Sequence, residues 1–137
     1  ARLEHIRAFH RTLGTDMPID YVLAPTPADN DAVLPRLSPG ALVVNATGLG
    51  KDAPGSPLTD AAMFPEDGLA WDLNYRGDLV FLEEARRQQA ERRLHVEDGW
   101  VYFIHGWTQV IGEVFDIAIP TSGPDFDRLS EIAATTR

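Results

Sequence analysis

The sequence predicts an α/β fold in which a parallel sheet is flanked by helices. Three observations carry that expectation. Leu42-Val43-Val44 is a run of apolar, largely β-branched residues suited to a strand covered on both faces. It passes directly into a small, polar turn, Asn45-Ala46-Thr47-Gly48-Leu49-Gly50. On either side, segments with helical periodicity alternate with short strand-like runs, the pattern of parallel strands joined by right-handed crossovers. In open α/β sheets the residues just past the carboxyl end of a strand are where ligands bind. Small residues there let a ligand approach the backbone, and the Thr47 hydroxyl can hydrogen-bond it.

Taken in order, residues 1–14 read as an amphipathic helix. Leu3, Ile6, Phe9 or His10, and Leu13 recur at helical spacing, and Gly14 is placed to end it. His5 and His10 are five residues apart, so they do not share a helical face as an i, i+4 metal pair does. Ile19–Ala24 reads as a strand ended by Pro25, and Pro27–Leu34 as a short helix with proline near its first turn. Pro39-Gly40 turns the chain into the Leu42 strand. Residues 51–68, rich in Pro, Gly and Asp, read as an irregular loop. Lys51 after Gly48-Leu49-Gly50 is not a phosphate loop: the spacing is wrong, and Asp52 stands where Ser or Thr is needed.

Leu69–Tyr75 predicts a second strand with polar groups at its carboxyl end. Asp78 is the expected cap of a helix to about Ala90. Leu79, Leu82 and Ala85 form its buried face, with Glu83, Glu84, Arg86 and Arg87 mostly in solvent. Asp98-Gly99 opens a helix over Trp100–Phe115 that is apolar around most of its circumference, which predicts burial on more than one side. A last helix is expected over Pro124–Ala134.

Composition narrows the function. At 137 residues the chain is one domain that can bury a core. Its net charge of -9 opposes a nucleic-acid partner, which calls for a basic face. No apolar run approaches the roughly 18 residues of a membrane span, and the first residues lack the basic start and apolar core of a signal peptide. With no cysteine there is neither a disulfide framework nor a thiolate metal site, so a cytoplasmic setting is expected and no metal.

Three features stand in sequence: Asn45-Ala46-Thr47-x-x-Gly50 with Ser56-Pro57-Leu58 downstream, Asp72-Leu73-Asn74-Tyr75, and Asp98-Gly99 before the apolar helix. Their order and spacing resemble the carboxyl-terminal half of the shikimate/quinate dehydrogenase family, over roughly Ala41 to Ile117. The resemblance implies a partial Rossmann-like parallel sheet flanked by helices, lacking the first strands and the Gly-rich loop. It implies NADP, or NAD, as cofactor, with Ala46, Thr47 and Gly48 against it, Leu73 near the nicotinamide, and the Gly99 backbone at the nicotinamide amide. Tyr75 would face a small hydroxyl-bearing substrate, and hydride would pass between nicotinamide and a ring carbon.

The departures are equally specific. The family's substrate-binding Gln stands seven residues after that glycine, where this chain has Gly106. Gln109 points about 60° away around a helix, and His105 is the other neighbour. Arg76-Gly77-Asp78 replaces the family's Pro and Thr, so a divergent relative with another substrate is expected. No Gly-rich loop, no reader of a 2′-phosphate and no catalytic Lys and Asp occur in residues 1–40. The expectation is therefore a carboxyl-terminal part with no catalytic residue of its own and weak cofactor binding. Its partners would be an amino-terminal catalytic domain and further copies of itself, because a sheet edge and an apolar helix both need covering. The alternative is a non-catalytic assembly module derived from that family.

Overall fold

The computed structural model describes residues 2–14 and 17–136. Three parallel strands form one open sheet in the order β1-β2-β3: β1 (Leu42–Asn45), β2 (Leu69–Asp72) and β3 (His95–Glu97). Leu42 pairs with Leu69 and Leu69 with His95, so the strands start level, and β3 ends one residue before β1 and β2. Helix α1 (Arg2–Thr12) and α2 (Pro27–Asp31) precede the sheet, α3 (Val80–Arg92) links β2 to β3, and α4 (Trp100–Phe115) and α5 (Pro124–Ala134) follow. This is the expected α/β architecture, a three-stranded parallel open sheet flanked by helices and consistent with a partial Rossmann-like fold.

The core lies between one sheet face and α3. Ala70 of β2 and Phe81, Leu82 and Ala85 of α3 are buried there, and Val43 and Val96 pack against them. Leu34 and Leu94 join it, as do Leu58, Ala62 and Phe64, which come from the segment expected to be a plain loop. Phe64 meets Phe81 edge-on, with ring centroids 5.5 Å apart. Polar side chains from both neighbouring helices hold this segment in place. Asn30 donates to the Pro57 carbonyl (2.9 Å), Asp31 accepts from Thr59, Gln88 donates to the Ala62 carbonyl (2.8 Å), and Arg92 donates to that of Phe64 (2.9 Å). Loop backbone is thus satisfied without secondary structure.

Several expectations need correction. Ile19–Ala24 is irregular, because strand propensity is realised only through cross-strand neighbours and the free edge of β1 is not paired with it. β1 is covered on one face only: Asn45 is buried and Val43 partly so, whereas Leu42 and Val44 are exposed on the other side. The short helix ends at Asp31, followed by a 3-10 turn over Leu34–Arg36. β2 stops at Asp72, and β3 was not expected at all, since three residues are too few to show a period. α3 begins after Leu79, which adopts a left-handed conformation (φ 49°), and Asp78 does not cap it.

α1 ends at Thr12, short of the expected 1–14 span, because the chain turns through Leu13 and Gly14 (φ 60°); Ala1 lies outside the described residues, and no residue of the helix is fully buried. α4 also has the expected span, yet only Ile104 and Thr108 are buried. Its other apolar residues, Trp107, Val110 and Val114 among them, face outward. Trp71 of β2 meets Tyr102 of α4 edge-on at 5.7 Å, so the helix leans on the outer sheet face along one edge. α5 is attached to α4 by Phe126, which stacks on His105 with centroids 4.4 Å apart.

Candidate functional site at the carboxyl edge of the sheet

Because the three strands are parallel and end within one residue of each other, everything that follows them collects at one edge of the sheet. The Asn45-Ala46-Thr47 turn leaves β1, Leu73-Asn74-Tyr75 leaves β2, and Asp98-Gly99 leaves β3 into α4. The residues picked from three separate stretches of sequence are therefore neighbours. Hydrogen bonds stitch them together. Asn74 Nδ2 donates to the Thr47 carbonyl (3.0 Å), and the Gly99 N–H donates to the Asn74 carbonyl (3.0 Å).

At the centre lies a buried polar group that sequence reasoning passed over. Asp72 accepts from Asn45 Nδ2 (3.0 Å), from the Asn74 backbone N–H (2.8 Å) and from Asn74 Nδ2 (2.8 Å). Asn45 Oδ1 in turn accepts from the Thr47 backbone N–H (3.0 Å) and from Thr47 Oγ1 (2.7 Å). Burial pushes the Asp72 carboxyl above its ordinary range, and the hydrogen bonds from Asn74 and Asn45 pull it back in part. A signal for this cluster existed. Strand side chains alternate, so the face that buries Val43 and Ala70 also receives Asn45 and Asp72. The cluster holds the turns of β1 and β2 in one fixed geometry; its bonds are made inward.

Ala46, Thr47 and Gly48 are exposed at the tip of the first turn. The Thr47 hydroxyl donates to Asn45 and accepts from the Leu49 N–H (3.2 Å), so the side chain is fixed while the backbone tip faces out. Lys51 pairs with Asp52 (3.1 Å), which supports the rejection of a phosphate loop because its charge is already met. Leu73 is half-buried; its N–H donates to the Asn45 carbonyl (3.0 Å).

Gly99 is buried, and a Cβ built on it would lie 2.1 Å from the Leu73 carbonyl oxygen. Glycine is required here by close approach of two backbone segments. Its carbonyl accepts from the Phe103 N–H (2.8 Å) and retains a second lone pair. Tyr75 is half-buried against α4, its ring 4.3 Å from that of Phe103 and 5.5 Å from that of Trp100, with the Arg76 guanidinium 5.9 Å above it. Asp98 accepts from the Trp100 N–H (2.8 Å), and its carbonyl accepts from the Trp71 indole (3.2 Å). These contacts bring the start of α4 against the end of β2.

The second missed group is Glu84. Expected in solvent, it is buried on α3 and accepts from the Ser56 hydroxyl (2.6 Å), which in turn accepts from the Leu58 N–H (3.1 Å). Burial raises its carboxyl above the ordinary value, opposed mainly by the Ser56 hydrogen bond. Ser56-Pro57-Leu58 is thereby a clasp between the long loop and α3. The residues near the expected substrate Gln are separated: Gly106 and Gln109 are exposed, while His105 is half-buried against Phe126. His10 is engaged by the Tyr21 hydroxyl at 2.8 Å, and among the described residues no three His, Asp or Glu converge on a common metal position. Among the described residues, too, no helix is long and apolar enough to cross a membrane.

Comparison with protein-family models, curated proteins and solved structures gave no match.

Proposed function

We propose that this chain is the cofactor-binding portion of an oxidoreductase similar to the shikimate/quinate dehydrogenases. It would bind the nicotinamide half of NADP, or of NAD, for hydride transfer to or from a hydroxylated ring acid. One observation supports this above the rest. The three separate motifs that carry the resemblance end on one edge of a parallel sheet and are hydrogen-bonded to each other through Asn74. That edge is where open α/β sheets hold ligands. In this reading Ala46, Thr47 and Gly48 form the exposed lip against the cofactor, Leu73 and Gly99 form the floor beside the nicotinamide, and Tyr75 stands at the substrate side. The chain's own contribution is positional: the buried Asn45-Asp72-Asn74 group sets the two turns at a fixed separation before any ligand arrives. Catalytic residues would come from an amino-terminal domain, and the grip on the pyrophosphate from the Gly-rich loop and first strand that the Rossmann-like resemblance calls for and residues 1–137 do not supply.

The test is an amide-resolved NMR titration of the 15N-labelled chain with NADPH into the millimolar range. Shifts confined to Ala46, Thr47, Gly48, Leu73 and Gly99, with weak affinity, are the expected result. Shifts centred elsewhere, or none, would count against the site, and sub-micromolar affinity would contradict the assignment of half a cleft to this chain. A second reading, a non-catalytic assembly module, is favoured by the outward apolar surface of α4. It predicts no shift at the turn residues at any cofactor concentration.

A further inference from the structure

We propose that α4 is the surface through which two copies of this chain pair, with the helices antiparallel about a two-fold axis near Trp107. The seam adjoins the proposed substrate side, where Phe103 lies against Tyr75, but the test below reads association alone and not cofactor binding. The buried edge of α4 is marked by Ile104 and Thr108. About 110° around the helix from it, Phe103, Trp107, Val110 and Val114 recur at the alternating four- and three-residue spacing of a helix-pairing seam. Trp107 and Val110 are 54% and 50% exposed and Val114 69%, so the seam is open over most of its length. Phe103 at its near end is half-buried, partly beneath Tyr75.

Two further observations commit the seam to a second copy. First, it carries no charge. Glu113, the one acid in α4, lies about 90° away from it. In a chain of net charge -9, this is a face on which two copies can meet without opposing carboxylates. Second, Gly106 sits in the helix interior, where glycine is a poor choice, yet a Cβ built on it would meet nothing within 4 Å. The chain's own packing does not ask for glycine there, and the open space it leaves admits the close approach of another helix.

The gap left by Gly106 forms part of a hollow of about 280 Å³ bounded by Tyr102, Phe103, Gly106, Trp107 and Val110. Trp107 rises directly beside this hollow near the middle of the helix. An antiparallel second copy therefore sets each Trp107 against the other's hollow, the self-complementary arrangement a two-fold contact needs.

Sedimentation equilibrium of the full 137-residue chain at micromolar concentration tests this. A dimer is expected, tightened by added salt, which screens the like net charges. Trp107→Glu and Gly106→Leu should each weaken it about thirtyfold or more, the loss typical of a central contact residue. Gly106→Leu decides the matter if Trp107→Glu proves poorly folded, because leucine favours the helix more than glycine does. Its far-UV circular dichroism and melting temperature at monomer concentrations should be unchanged or improved. A monomer at about 100 micromolar would overturn the proposal. So would a dimer indifferent to both substitutions.

Discussion

Two buried carboxylates behave differently at the level of single residues. Both Asp72 and Glu84 have acid groups raised above their ordinary values, chiefly by burial. The native state therefore holds more protons than the unfolded chain between each ordinary value and the raised one. Stability is greatest at the acid end of that window and falls as pH rises through it. Replacing either acid by its amide removes its share of this slope, measurable as melting temperature against pH from 4 upward. At neutral pH the two variants should diverge. Glu84→Gln keeps an oxygen for the Ser56 hydroxyl and spares a buried charge, so stability should be unchanged or higher. Asp72→Asn can keep its oxygen toward Asn74 but then turns an NH2 toward the Asn45 amide. Asn45 cannot flip to accept it, because its own oxygen is held by Thr47. That clash of donors should cost about 1–3 kcal/mol in urea unfolding. Equal losses for both variants would show that the Asn45-Asp72 bond has no special weight.

Individual elements were legible where local chemistry sufficed. Pro27 alone predicts the start of α2; the structure adds a reciprocal capping box that the sequence reading does not name, Thr26 N donating to Asp29 Oδ2 at 2.9 Å. Because α2 presents Asn30 and Asp31 to the long loop, the cap matters beyond its own five residues. Thr26→Ala should lower stability by about 1 kcal/mol, seen as a shifted urea midpoint at constant slope. A change in slope would point instead to release of the whole loop. Elements were illegible where their existence depended on a neighbour. Ile19–Ala24 has strand composition but no pairing partner, while His95–Glu97 has almost no signal and becomes a strand because Leu69, Ala70 and Trp71 lie beside it. The Leu79 start of α3 is likewise imposed from outside, its N–H donating to the Gly50 carbonyl (3.3 Å) across the turn.

For the molecule as a whole, order is concentrated around β1, β2 and α3, where the core and the anchored loop lie. α1 has no fully buried residue and is short enough that an isolated helix of its length is marginal in water. Hydrogen exchange should therefore find α1 amides close to unfolded-peptide rates and α3 amides exchanging only through global unfolding; similar protection in both would mean that α1 is docked. By itself the sequence determined the α/β class, the spans of α4 and α5, the absence of a phosphate loop and the three turns worth examining, because periodicity, turn chemistry and motif spacing are local properties. Only the tertiary structure decided that those turns share one edge, that Asn45, Asp72 and Asn74 join them from beneath, and that Glu84 is buried. It also decided that α4 is covered on one side rather than several. Each of these depends on which face of an element meets another, and a face is assigned by packing between residues distant in the chain.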